Sequence, residues 1–227
     1  MKTYYEILSN NIFRTFGIIS LIIPLYLSIR GSLKSNFINH TAATLSCAAI
    51  LIIFGGLPFA KKGWPLIFAL LISVAGDYFL SHKSSIKFSY VKGIACFFIA
   101  HVLYITFFML VGNKGIFKYV FLVFALTGGL IYFFIRLQPH IIGIPMKIAV
   151  LSYLVVSIIS LSFVMNLRIH PLALTLLILG IALLVFSDTM IAEKDFMRYP
   201  GRLPIIPTYL ASHFFLTSGG LIMHYLK

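Results

Sequence analysis

The chain has 227 residues, 60% of them hydrophobic and 10% charged, with a mean hydropathy of +1.03 and a formal net charge of +13. A soluble domain carries about 25% charged residues, so composition excludes an ordinary globular domain. Repeated apolar runs of roughly 18 to 23 residues point instead to an all-α, polytopic transmembrane bundle, and a β-barrel is excluded because it would show short alternating segments. The basic residues lie mainly between the runs, where they meet lipid phosphates; membrane lipids, not nucleic acid, are the expected partners.

Eight spans are predicted, at about 12–29, 41–59, 64–81, 90–111, 116–136, 144–166, 171–192 and 204–225, within a single integral membrane domain covering residues 1–227. The first apolar run is preceded by Arg14 and followed by Arg30, has no small-residue cleavage site at its end, and reads as a retained helix. Turn and charge residues punctuate the loops, as in Lys61-Lys62-Gly63, Gly112-Asn113-Lys114-Gly115 and Tyr199-Pro200-Gly201-Arg202. These loops are too short for a soluble domain, so any chemistry belongs within the bundle or at its rim. Eight crossings place both termini on one side. That side carries eight Lys and Arg against ten on the other, too even to set orientation. In a bacterium a chain of this kind is expected in the inner membrane as a multi-pass protein. Cys47 and Cys96 stand alone in apolar runs and form neither a metal-ligand spacing nor a disulfide framework.

Only five residues are acidic: Glu6, Asp77, Asp188, Glu193 and Asp195. Asp77 and Asp188 lie inside membrane-length runs, where a carboxylate is costly unless it faces a partner or water, and so mark a candidate site. Each stands four residues before its predicted span end, about 6 Å at the helical rise, which puts both at one depth near the non-terminal side. Tyr209 is predicted near that level, with His101, Tyr153 and His213 deeper. Ser73 is one turn before Asp77, and Ser187 adjoins Asp188. Two carboxylates near one mouth, with imidazoles and phenols beneath and a Phe-rich bundle beyond, suit an amphiphile with an anionic head. Lys194, Arg198 and Arg202 follow Asp188 and are candidates to hold a phosphate at the rim.

Structural roles compete with these. Serines in membrane helices commonly bond backbone, which is the competing role for Ser73 and Ser187. His101 and His213 divide between packing and catalysis, and Tyr209 resembles an interfacial tyrosine, whereas Tyr104 and Tyr153 lie too deep for that. His40, His82, His140 and His170 fall at predicted loops. No H-E-x-x-H or G-x-S-x-G motif is present, so zinc and serine hydrolase readings are not supported. Gly55-Gly56, Gly128-Gly129 and Gly219-Gly220 are expected to permit close helix packing. The intervals Asp77 to His101 and Asp188 to His213, 24 and 25 residues, suggest a parallel four-plus-four repeat.

The blocks Ser73-Val74-Ala75-Gly76-Asp77-Tyr78-Phe79-Leu80 with Gly93, Phe97, Phe98 and Ala100-His101-Val102-Leu103-Tyr104, and Phe186-Ser187-Asp188-Thr189-Met190-Ile191-Ala192 with Gly180, Phe196 and Tyr209, resemble the YhhN-like lysoplasmalogenase family over roughly residues 60 to 215. His213 stands where many members carry Gln. The resemblance implies hydrolysis of the vinyl ether of a lysophospholipid substrate, a lysoplasmenyl ethanolamine or choline, to a fatty aldehyde and the glycerophospho-base. Vinyl ether hydration passes through an oxocarbenium ion, and glycosidases meet a similar ion with two carboxyl groups. Asp77 and Asp188 are the candidate acid/base pair, one kept protonated by its like-charged neighbour, and sequence does not say which. His101, Tyr104, Tyr153, Tyr209, His213, Ser73 and Ser187 are candidates to position substrate or water. No metal or organic cofactor is expected, and oligomeric state is left open. A proton-coupled lipid or solute transporter is the alternative that paired intramembrane acids also suit, although Pro24 is alone as a mid-span breaker; a non-catalytic lipid-binding protein is another.

Overall fold

A computed structural model describes residues 4–55, 61–82, 88–114, 118–198 and 204–226. It contains α1 (Tyr4–Ser20), α2 (Ile22–Leu33), α3 (Phe37–Phe54), α4 (Trp64–Ser81), α5 (Ser89–Val111), α6 (Lys118–Tyr132), α7 (Ile144–Met165), α8 (Pro171–Phe196) and α9 (Ile205–Tyr225). Among the described residues these give eight helices long and apolar enough to cross a membrane, with α1 and α2 forming one span. The break between them at Leu21 follows from Pro24, which is buried, lacks an N–H and excludes the Ser20 carbonyl from its ladder position.

Most boundaries fall close to the apolar runs. Two differences bear on the site. First, α3 begins at Phe37, earlier than the predicted 41, because Asn36 caps it: the Asn36 side-chain Oδ1 accepts from the Asn39 N–H at 2.8 Å. His40 is therefore helical and half-buried, not a loop residue. Second, α8 continues to Phe196 and takes in Glu193, Lys194 and Asp195. Measured along its own helix, Asp188 is eight residues from the end of α8, about 12 Å, whereas Asp77 is four from the end of α4, about 6 Å. The predicted span end at 192 follows the loss of apolar character; hydrogen bonding carries the helix two turns past Asp188.

The share of each span buried inside the bundle separates centre from periphery: 56% for α9 and 11% for the span containing α6. α9 packs against α8, α2 and α3, α4 against α5, and α5 against α7. α6 continues through a π turn, Phe133–Leu137, and a 3-10 turn, Gln138–His140. It is tied to α8 through Glu193, which accepts from the Tyr132 hydroxyl at 3.2 Å and lies 4.0 Å from Arg136. On the terminal side, Asn113–Lys114 pairs antiparallel with Leu167–Arg168, a two-residue ladder joining two loops.

Small residues set the closest helix approaches, as expected where lipid supplies no hydrophobic drive. A Cβ on Gly76 would lie 2.8 Å from Phe97 Cε2, and one on Gly93 2.8 Å from Leu80 Cδ2, so α4 and α5 each lend a glycine to the other's large side chain. Gly180 with Leu216 and Gly219 with Leu177 repeat the device between α8 and α9. Gly129 similarly faces Ile158, but Gly128 faces open space and has no packing role. The arrangement does not confirm the four-plus-four repeat.

Candidate active site

Asp77 on α4 is held by one phenol: the Tyr209 hydroxyl of α9 donates to its Oδ2 at 2.8 Å. Tyr209 lies on the first turns of α9 because Pro204 precedes that helix and Ser187 Oγ, from α8, donates to the Ile205 carbonyl at 2.9 Å. Ser187 thus clamps the start of α9 and does not touch the carboxylate beside it. Ser73, one turn before Asp77, donates to the Ala69 carbonyl of its own helix at 2.9 Å. Both serines take the backbone-bonding role.

Asp188 on α8 has a richer setting. The Tyr153 hydroxyl of α7 donates to its Oδ2, and His101 Nε2 of α5 lies 3.7 Å from the same oxygen. His101 Nε2 is also 3.1 Å from the Tyr153 hydroxyl, and its Nδ1 is 2.8 Å from Ser160 Oγ. Ser160 donates in turn to the Ser157 carbonyl at 2.8 Å. These contacts join Asp188, Tyr153, His101 and Ser160 in one buried polar chain across α8, α7 and α5. The His101 ring also meets Tyr104 edge-on at 5.9 Å, and the Tyr104 side chain is fully buried.

The carboxylates open into adjoining spaces. A cleft of about 280 Å³ at the non-terminal face contains Asp77 and Tyr209. A narrower one of about 50 Å³, between α5, α7 and α8, contains Asp188 and Tyr153. Leu80, Phe97 and Ile191 line both and form the wall between them. Asp77 and Asp188 thus line neighbouring spaces that share Leu80, Phe97 and Ile191. A third crevice of about 30 Å³ reaches Asp188 from the side of α6.

Besides Ser73 and Ser187, the expected positioning residue His213 and the expected rim residue Arg198 stand apart from the carboxylates. His213 is 1% exposed; its Nδ1 is 3.0 Å from Thr44 Oγ1 of α3, its Nε2 has no partner, and it reaches the site only by ring contact with Tyr209 at 4.4 Å. Arg198 follows α8 with φ 52 and is not among the residues lining the clefts described above, whereas Lys194 lines the larger cleft. Arg202 lies outside the described residues. Sequence reasoning missed Ser160 and Thr44, the histidines' partners, and Ser35, Asn36, His40 and Asp195 at the larger cleft. For Ser160 a signal existed: Tyr153, Ser157 and Ser160 recur at i, i+4 and i+7 on one face of α7. Among the described residues, no group of three His, Cys, Asp or Glu side chains is placed to hold a metal ion.

The YhhN family model matches residues 38–220, most of the chain and both aspartate segments. The chain belongs to the YhhN family. This is the lysoplasmalogenase family. Its match begins after Asn36 and ends within α9, so α1, α2 and the loop to α3 lie outside it. No curated protein and no solved structure matches the chain.

Proposed function

We propose that this membrane protein hydrolyses the vinyl ether bond of lysoplasmalogens, giving a fatty aldehyde and glycerophosphoethanolamine or glycerophosphocholine. The observation that carries the reading is the placement of two intramembrane carboxylates, each held by a tyrosine hydroxyl, in adjoining clefts with one dividing wall. Family membership supplies the reaction class.

The chemistry asks for an acid at the β-carbon and a base for the water that adds at the α-carbon. The acid protonates the β-carbon of the vinyl ether, and the positive charge spreads over the α-carbon and ether oxygen. Water adds to the α-carbon while the carboxylate takes its proton. The hemiacetal then collapses: Asp188 gives its proton to the glycerol oxygen, the C–O bond breaks, the aldehyde carbonyl forms, and the hemiacetal hydroxyl proton returns to Asp77, restoring both carboxyl groups. The His101 ring beside Asp188 favours Asp188 as the ionised carboxylate that stabilises the cation and accepts the water proton. Asp77, whose hydrogen-bond partner is the neutral Tyr209, takes the acid role. Tyr153 and Tyr209 each occupy one carboxylate oxygen and aim the other.

The test is aldehyde release from a lysoplasmenyl lipid by detergent-purified protein, Asp77→Asn and Asp188→Asn. Wild type is expected to release aldehyde and each variant to lose at least about a hundredfold, the scale of general acid–base catalysis. Absence of release from wild type, or variants as active as it, would overturn the reading.

A further inference from the structure

The larger cleft has a polar mouth that the two-aspartate chemistry does not use. Ser35 and Asn36 come from the loop before α3, Ser81 from the end of α4, and Lys194 and Asp195 from the last turn of α8. These residues stand at helix ends on one face of the bundle, and Asp77 and Tyr209 lie about one turn further in. The loop is fixed in place: Asn39 Nδ2 donates to the Lys34 carbonyl at 2.7 Å, and His40 Nε2 is 3.3 Å from Ser35 Oγ. Lys194 is exposed at the mouth. Asp195 next to it is engaged by Tyr90, and a carboxylate with four acceptor sites is not exhausted by one phenol.

A cation and an anion side by side, with hydroxyl and amide groups opposite, match a ligand end that bears both charges. A free fatty acid or alcohol would need no such pair. Depth fits as well: from Ser81 at the mouth to Asp77 is one helical turn, about 6 Å, the span of a glycerol unit between a phosphate and an ether oxygen. We propose that this mouth is the headgroup subsite for a zwitterionic lysolipid, with Lys194, Ser35 and Asn36 on the phosphodiester and Asp195 on the ammonium. The inference rests on the proposed lysoplasmalogen reading and names how that substrate is selected.

The test uses ligands without a vinyl ether, so that binding is read apart from hydrolysis. Detergent-purified full-length protein is titrated calorimetrically with a saturated 1-O-alkyl lysophosphoethanolamine, the corresponding phosphate monoester, the alkylglycerol of equal chain length, and chain-free glycerophosphoethanolamine. The ethanolamine lipid is expected to bind at least about tenfold more tightly than the alkylglycerol or the chain-free ligand. Lys194→Ala should erase the advantage of both phosphate lipids over alkylglycerol, with Lys194→Arg restoring it. Asp195→Asn should erase only the preference for the ammonium-bearing lipid over the monoester. The proposal is overturned if alkylglycerol or glycerophosphoethanolamine binds as well as the lipid, if either variant leaves these ratios unchanged, or if it weakens all four ligands alike. Selective binding without aldehyde release would sink the hydrolase reading alone; aldehyde release without headgroup discrimination would sink the subsite alone.

Discussion

The Tyr209 hydroxyl reaches Asp77 Oδ2 across 2.8 Å, joining α9 to α4 over 132 residues of chain. A phenol on a carboxylate in a low-dielectric interior is a strong orienting contact. Tyr209→Phe keeps the ring's packing and removes only that donor. Aldehyde release should fall about 10- to 100-fold, the equivalent of one hydrogen bond to a carboxyl group, with the detergent melting temperature little changed. Wild-type activity in this variant would show that Asp77 needs no partner.

Tyr153 stands between His101 and Asp188 and contacts both. Tyr153→Phe and His101→Gln should therefore be strongly non-additive. In a double-mutant cycle on kcat/KM the pair should show a coupling energy of about 0.5–3 kcal/mol, as for residues sharing one network. Additive losses would mean that His101 acts on the site independently of Tyr153.

Gly76 adjoins the acidic residue of its motif, but its role is packing. A methyl group there would sit 2.8 Å from the Phe97 ring and displace a side chain that lines both clefts. Gly76→Ala should destabilise the protein by about 1–3 kcal/mol, read as a lowered melting temperature in detergent. Phe97→Leu in the same chain should recover most of that stability. Failure of the second change to restore it would place the strain elsewhere.

His213 is buried, with one ring nitrogen on Thr44 and the other unpartnered. His213→Gln offers the same hydrogen-bonding types in similar volume and should keep most of the activity. His213→Ala leaves the Thr44 hydroxyl unsatisfied beside a cavity and should cost about 1–3 kcal/mol of stability. Thermal melts of the two variants compare these directly; a Gln variant that folds but is inactive would give His213 a catalytic part.

The spans were legible because a membrane helix must carry a long apolar stretch to satisfy its own backbone in lipid. The end of α8 was not: its last turn is charged, so hydropathy stops while the backbone bonding continues through Glu193, Lys194 and Asp195. The start of α3 was written in a capping residue, Asn36, that hydropathy does not weigh.

By itself the sequence determined the eight crossings and singled out two aspartates, since a chain with five acids has no incidental reason to place two inside lipid-length runs. Which phenol holds which aspartate was decided only by tertiary structure. Pairing depends on how each helix is rotated about its axis and which helices are neighbours. In lipid the outward and inward faces are both apolar, so periodicity does not reveal that rotation. Packing of Phe97 against Gly76 and of Leu80 against Gly93 fixed it for α4 and α5, and the same two large side chains became the wall between the carboxylates.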